Sequence, residues 1–310
     1  MKPIAKQSSR KTGFTIIELL TVMSIIVILI SLLVPALNMV KRYAKRVKQK
    51  NQFHAINVAL ELFNNEWDGY PDSDAEDETG ASYCGAMKLC EAMMGQDLLG
   101  FHPDSYFRSD GMTGGTSAID LYPNNPTSAN LKARRGPYLK LENANAYRLR
   151  DLYSSAGKFV EDRFVLCDVY KRINRATGIK TGMPVLYYRA NTSGTKHPLN
   201  IPELNENNGI SIDDPDNIYD YKDNDELVLL GLPWSSSGLS HPMASDGGLT
   251  LGGDPAEPAD RATPFNFYRW IWNDQIEVID RPYRSDSYIL LSAGFDGEYG
   301  TRDDIFNFGD

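Results

Sequence analysis

The chain has 310 residues, 42% hydrophobic, 11% aromatic and 24% charged, a balance that excludes wholesale disorder and collagen-like repeats. Its net charge of −9 is unevenly placed: residues 1–50 carry ten Lys/Arg against the single acid Glu18, while the other 260 carry 22 Lys/Arg against 40 Asp/Glu. A body that acidic is a poor candidate for gripping nucleic acid, which needs clustered cations to hold phosphate.

Residues 1–13 hold four cations and no acid, and from Leu19 to Val40 there are 22 uncharged residues rich in Ile, Leu and Val. As a helix rising ~1.5 Å per residue this run spans roughly 33 Å, enough to cross a hydrocarbon core of ~30 Å. A cleaved secretory signal has an apolar stretch of about 7–15 residues followed by a small-residue cleavage site. Here the run is longer and leads into Lys41-Arg42-Tyr43-Ala44-Lys45-Arg46. A core helix of a soluble protein would carry polar residues along one side, and this run is apolar all round. The reading is a retained membrane helix. Six Lys/Arg follow it and four precede it, so the positive-inside rule does not fix its orientation.

Three residues interrupt the pattern: Gly13 before Phe14, Glu18 one helical turn after Phe14, and Pro35 late in the run. A lone carboxylate in a membrane helix costs about 2.5–3.5 kcal/mol near the centre and less near an end. It either snorkels to the interface or finds a partner. The string Gly13-Phe14-Thr15-Ile16-Ile17-Glu18-Leu19-Leu20 resembles the prepilin cleavage and methylation motif of type IV pilins and type II secretion pseudopilins. The resemblance implies cleavage by prepilin peptidase between Gly13 and Phe14, N-methylation of Phe14, a basic leader in the cytoplasm and a body outside it. Glu18 would then be the fifth residue of the mature chain, free to neutralise the new α-amine of a neighbouring subunit or of its own chain. Pro35 stands where many members carry a helix-kinking proline.

Beyond the apolar run, Phe53, Ile56, Leu60, Phe63 and Trp67 recur at spacings of 3 and 4, the stripe of an amphipathic helix. Lys41, Arg42, Lys45, Arg46, Lys48 and Lys50 form a basic collar upstream, suited to anionic headgroups, to acidic faces of neighbouring copies, or to plain solvation. Asp68-Gly69-Tyr70-Pro71 ends the helix, since proline cannot continue it. The organisation expected is a leader at 1–13, a membrane helix at 14–40, its amphipathic continuation at 41–67 and an extracytoplasmic body at 68–310. Within the body a helix is expected near Ala81–Met94, and strands at Lys158–Tyr170, Pro184–Ala190, Glu226–Leu230 and Ser287–Ala293. Trp270 and Trp272, alternating with Ile271, suit a half-buried strand. Strands in succession point to an α+β fold, an antiparallel sheet packed on the long helix. Pilin-like folds share that plan at about half this length, which leaves 72–130 and 191–264 as insertions.

Near the carboxyl end, Asp286–Ile305 reads as a strand running into a glycine-rich acidic loop. Calcium takes six to eight oxygens and glycines allow a tight wrap, although the spacing is not that of an EF-hand and Asp-Gly pairs also serve ordinary turns. The segment resembles the calcium loop of the major type II secretion pseudopilin. By that resemblance, and within a loop spanning 292–305, the ligands would be Asp296, Asp303 and Asp304, with carbonyls of Ala293 and Glu298. Gly136-Pro137-Tyr138-Leu139 and Trp67-Asp68-Gly69-Tyr70-Pro71 echo the same group, while the middle of the chain is unmatched.

Nothing in the sequence suggests an enzyme. His54, His102, His197 and His241 are scattered, and no nucleophile elbow, phosphate loop or zinc-protease motif is present. Cys84, Cys90 and Cys167 allow no deduced pairing; bridges and buried thiols both remain open. Asp213-Asp214-Pro215-Asp216 and Asp223-Asn224-Asp225-Glu226 read as solvated loops rather than metal sites. The resemblance implies an inner-membrane, single-pass pseudopilus subunit with its body in the periplasm, polymerising with other pseudopilins on an inner-membrane assembly platform to drive protein export. A type IV pilus or related surface fibre for adhesion or DNA uptake, and a singly anchored binding module, are the other readings.

Overall fold

The computed structural model describes residues 15–115, 118–175, 177–198, 214–234, 243, 264–276 and 278–309; Gly13, Phe14 and most of 235–264 lie outside them. The chain divides into two compact units, one ending at Lys45 and one beginning at Arg46. A single helix, α1 (Ile16–Trp67), runs through both and contains Pro35.

In the first unit every residue of α1 from Ile16 to Val40 is exposed. This helix is long and apolar enough to cross a membrane. Open apolar surface costs about 25 cal/mol per Å² in water, so covering this stretch would be favourable.

In the second unit α1 turns amphipathic. Phe53, Ile56, Leu60 and Phe63 are buried as their spacing predicts, and Trp67 packs partly buried beside them. Gln49 and Gln52 extend the same buried stripe. Gln52 Nε2 donates to the Cys167 carbonyl at 2.9 Å and the Asn143 carbonyl at 3.0 Å, and Gln49 Oε1 accepts from Val169 N at 3.0 Å. Amides with specific backbone partners fix register where methyl groups would slide.

The helix packs on a three-stranded antiparallel sheet in the order β5 (Leu186–Arg189), β6 (Tyr288–Ser292), β7 (Ile305–Phe306). Leu186 pairs with Leu291 and Arg189 with Tyr288. Strand residues alternate between faces. Tyr187, Tyr288 and Leu290 join Phe53, Ile56, Leu60 and Phe63 in one cluster. Leu186, Tyr188, Ile289 and Leu291 face a second cluster. Both faces are therefore covered, which explains why Tyr288-Ile289-Leu290-Leu291 is an unbroken buried run.

Helix α2 (Gly85–Met94) feeds both clusters, Ala86 and Met87 into one and Leu89, Cys90 and Met93 into the other. It begins at Gly85 rather than Ala81. A Cβ at Gly85 would stand 2.3 Å from the Tyr187 carbonyl, so only glycine lets α2 lie this close to β5. Fully buried Glu91 then ties down the stretch that follows α2. It accepts from Tyr83 Oη (2.6 Å), Gln96 Nε2 (2.9 Å), Ser105 Oγ (2.5 Å) and Tyr122 Oη (3.0 Å). Residues 96–122, part of the expected insertion, are thus anchored to the core through one carboxylate.

The remaining described elements are short: α3 (Ser128–Ala133), α4 (Leu141–Ala144), β1 (Ala146–Arg148), α5 (Leu149–Leu152), β2 (Phe164–Leu166), β3 (Arg172–Ile173), β4 (Lys180–Thr181), α6 (Asp225–Leu229) and α7 (Pro264–Ile271). The strands β1–β2 and β3–β4 form separate two-stranded antiparallel sheets, so the described strands make three small sheets instead of one. Lys158–Tyr170 is extended only over β2, because Arg163 N closes a turn on the Val160 carbonyl at 3.1 Å.

Glu226–Leu230, expected as a strand, is largely helix α6. Asp225 and Glu226 sit in its first turn, where the exposed N–H groups favour acids, and Leu227 and Val228 are buried. Trp270 and Trp272 are not a strand either. Trp270 lies in α7, whose Phe267, Tyr268 and Ile271 form one buried face at helical spacing. With Leu149, Leu152, Leu227 and Val228 they build the cluster on the second face of the central sheet.

His197 joins the segment after β5 to α7: its Nε2 lies 2.9 Å from the Tyr268 carbonyl, which makes that nitrogen the donor. Its Nδ1 is buried with no hydrogen-bond partner. Burial pulls the imidazole down to about 4, against a weaker opposing effect of the Tyr268 hydrogen bond. A depressed folded pKa means that His197 supports the fold fully above pH 6.5 and progressively less as pH falls toward 4. Between pH 7 and pH 5 this side chain is expected to cost about 2 kcal/mol of stability. Urea denaturation of the detergent-solubilised chain checks it: His197→Gln, which keeps the donor, should lose that part of the acid sensitivity.

Candidate functional site

Strands β6 and β7 are joined by residues 293–304, and their pairing, Leu291 with Phe306 and Ser292 with Ile305, pins both ends of this loop. Its root is fixed from below. Ser292 Oγ donates to the fully buried Asp168 at 2.9 Å, and Asp168 also accepts from Tyr170 N (3.0 Å) and Met183 N (3.2 Å). Tyr299 Oη donates to the Pro184 carbonyl at 2.5 Å. Gly294, Gly297 and Gly300 all have positive φ. At Gly294 (φ +64) the need for glycine is twofold, since a Cβ would also stand 2.1 Å from the Asp303 carbonyl oxygen. That close approach folds the loop back on itself and brings Asp296 to Asp303.

The three aspartates gather in this turn. Asp296 N donates to Asp303 Oδ2 at 2.9 Å. Thr301 Oγ1 stands between them, 2.9 Å from Asp296 Oδ2, 2.7 Å from Asp303 Oδ1 and 3.3 Å from the Glu298 carbonyl. One hydroxyl has one proton and three acceptors face it, so oxygen lone pairs are in surplus here. Asp304 Oδ2 accepts from Gly300 N at 2.8 Å, while its Oδ1 is sealed from solvent with no hydrogen-bond partner. The carbonyls of Ala293 and Glu298 accept from Gly297 N (3.2 Å) and Thr301 Oγ1.

The electrostatics follow from crowding. Burial, then the shared hydrogen bond with Asp303, lifts Asp296 to about 7. Asp303 goes below the usual carboxylate range, because hydrogen bonds from Asp296 and Thr301 outweigh its burial. Burial pushes Asp304 well above that range. Among the described residues no three His, Cys, Asp or Glu side chains stand as a ready-made metal cage. The loop instead mixes carboxylate, hydroxyl and carbonyl oxygens, the donor set of a hard divalent cation, and the orphaned Asp304 oxygen fits one. Thr301 went unnoticed in the sequence; the available signal was a hydroxyl between two acidic elements.

At the other end of the chain, Thr15 N and Thr15 Oγ1 donate to Glu18 Oε2 at 2.9 and 2.8 Å, and Glu18 N donates back to Thr15 Oγ1 at 3.2 Å. This is a reciprocal capping box, legible as Thr-x-x-Glu at positions 15–18. Glu18 therefore has a role within its own chain.

The cysteines are free and buried. Burial pushes the Cys84 thiol up to about 12 and raises Cys90 and Cys167 as well, so none is poised as a nucleophile. A polar cleft of about 480 Å³ is lined by Asp72, Asp74, Arg189, Asp214, Asp220 and Asp223 among others. Three of these carboxylates are already engaged: Asp72 with Lys88, Asp214 with Lys196, and Asp223 with the Ser73 hydroxyl. The two sequence echoes near Trp67 and Tyr138 meet in space, Trp67 Nε1 donating to Tyr138 Oη at 2.9 Å.

Comparison of the chain with protein-family models, with curated proteins and with solved structures finds no match.

Gly294→Ala is expected to be among the most damaging single-methyl changes in the loop. It combines a disfavoured φ with a backbone clash and should cost on the order of 2–3 kcal/mol, read as a lowered urea midpoint.

Proposed function

We propose that the chain is a membrane-anchored filament subunit of the prepilin class, a type II secretion pseudopilin cut after Gly13 and assembled through α1. The observation that carries this reading is α1 itself: one helix bare and apolar over Ile16–Val40, then sewn into a folded body by Phe53, Ile56, Leu60, Phe63, Gln49 and Gln52. A signal that is discarded needs no such continuity with the core. A rod that stays attached can leave the bilayer only by packing against other copies of itself, which is filament growth. In this reading the body lies in the periplasm, assembly on an inner-membrane platform drives export, and no catalytic residue is involved.

Glu18 separates two physical accounts of assembly. In one, its charge neutralises the α-amine of Phe14 in a neighbouring subunit; in the other, it only caps α1 through Thr15. Glu18→Gln retains a capping acceptor and removes the charge. Charge pairing predicts that Glu18→Gln inserts into the membrane and is processed normally, yet yields as little sheared filament as Glu18→Ala. Normal filament yield from Glu18→Gln would discard the pairing, and a chain that stays monomeric in membranes would favour a singly anchored binding module.

The loop at 293–304 is proposed to hold calcium through Asp296, Asp303 and Asp304, with Thr301 and the carbonyls of Ala293 and Glu298 completing the oxygens. Bound calcium would supply the positive charge that the crowded carboxylates lack and stabilise the body by linkage, roughly 2.7 kcal/mol at a hundred times the dissociation constant. Chelation is then expected to lower the melting temperature by roughly 5–10 °C. Asp303→Ala should melt at the same temperature with and without chelator. An unmoved melting curve for the unsubstituted chain at matched ionic strength would remove calcium from the account.

A further inference from the structure

Strands β6 and β7 hold the two ends of the acidic loop, but its crown is covered by side chains from elsewhere. Arg172, the first residue of β3, donates from Nη2 to the Phe295 carbonyl at 2.5 Å. Its guanidinium carbon lies 4.8 Å from the centre of the Trp234 ring and 5.9 Å from that of Phe295. Trp234, which follows α6, presses on Gly297: a Cβ there would come within 2.2 Å of Trp234 Cζ2. The indole thus occupies the space that any side chain at position 297 would need, and the guanidinium lies over the Trp234 and Phe295 rings while it grips the backbone.

The base of this arrangement is independent of the loop. The β3–β4 hairpin is tied to α5 by Thr177 Oγ1, which donates to the Asp151 carbonyl at 3.0 Å, and by Asn174 Nδ2, which donates to the Leu152 carbonyl. Lys171 Nζ donates to Tyr147 Oη in β1 at 2.9 Å. Arg172 is therefore presented to the loop from a fixed support.

We propose that Arg172 and Trp234 form a clamp that holds residues 294–297 in their ion-binding shape before a cation arrives, making both of them positioning residues for the calcium site. The inference rests on the calcium reading above. A twelve-residue loop left unsupported samples many shapes, and the cost of ordering it is subtracted from the affinity for the ion. A clamp on the Phe295 carbonyl and on Gly297 lowers that cost. It also gives Trp234, which lies within the expected insertion, a task at the carboxyl-terminal loop.

The sign of the effect distinguishes this from simple electrostatics. Arg172 is a cation beside a cation site, so on charge alone its removal should tighten calcium binding. As a clamp its removal should weaken binding. Trp234→Ala alters no charge, and Arg172→Lys keeps the charge while losing the planar stack. Calcium chloride is titrated calorimetrically into the full chain in detergent, after chelation and dialysis, for the unsubstituted protein, Arg172→Ala, Arg172→Lys and Trp234→Ala. The expected result is a dissociation constant raised about tenfold in all three variants, with melting temperatures in chelator close to that of the unsubstituted chain. If Trp234→Ala fails to fold, Arg172→Lys decides the matter. Variants that bind calcium as tightly as the unsubstituted chain, or more tightly, overturn the clamp and leave the calcium site standing. Absence of binding in the unsubstituted chain overturns both.

Discussion

A helix whose two halves need different surroundings sets the terms for everything else in this molecule. Residues 19–40 of α1 are uncharged, largely apolar and exposed throughout, and water is an unfavourable solvent for that surface. From Gln49 to Phe63 the same helix is buried on one stripe against a sheet that is itself covered on both faces. The four large apolar side chains of that stripe contribute about 1.5–3 kcal/mol each as an upper bound, enough to make the helix inseparable from the body. Whatever covers the exposed half is thereby coupled mechanically to a folded domain.

The body is held in register by buried polar groups as much as by its apolar clusters. Glu91, Asp168, Gln49 and Gln52 are all buried, and each has named partners from distant stretches of chain. Such groups add little net stability relative to apolar replacements of the same shape, but an unsatisfied one costs about 1–3 kcal/mol, so wrong pairings are penalised. Glu91 gathers four donors onto α2 and so fastens residues 96–122, while Asp168 sets the point from which the acidic loop departs. The elaborated middle of the chain is in this sense part of the core architecture.

At the acidic loop the constraint is the burial of carboxyl groups. Asp296 and Asp303 meet at a backbone approach that Gly294 permits, and burial favours the protonated forms of Asp296 and Asp304. Thr301 lies among more acceptors than its one proton can serve. Arg172 and Trp234 close the arrangement from outside. Surplus oxygens and an orphaned carboxylate atom in one turn are the observations on which the calcium proposal rests.

The sequence alone determined what depends on periodicity and on local chemistry. The apolar run, the stripe from Phe53 to Phe63, the strands β5 and β6 and the acidic loop all follow from spacings within a few residues, because helix and strand periods and glycine's freedom are properties of short segments. Tertiary structure decided the rest. Glu226–Leu230 and Trp270 became helical because their faces met a core that no local pattern reveals, and Lys158–Tyr170 was cut short by a turn at Val160–Arg163. The meeting of Arg172 and Trp234 over Phe295 and Gly297 joins residues more than sixty positions apart, as does the Ser292–Asp168 hydrogen bond. Contacts at such separations are selected by how whole faces fit together, and that information lies in the packed chain and in no single stretch of it.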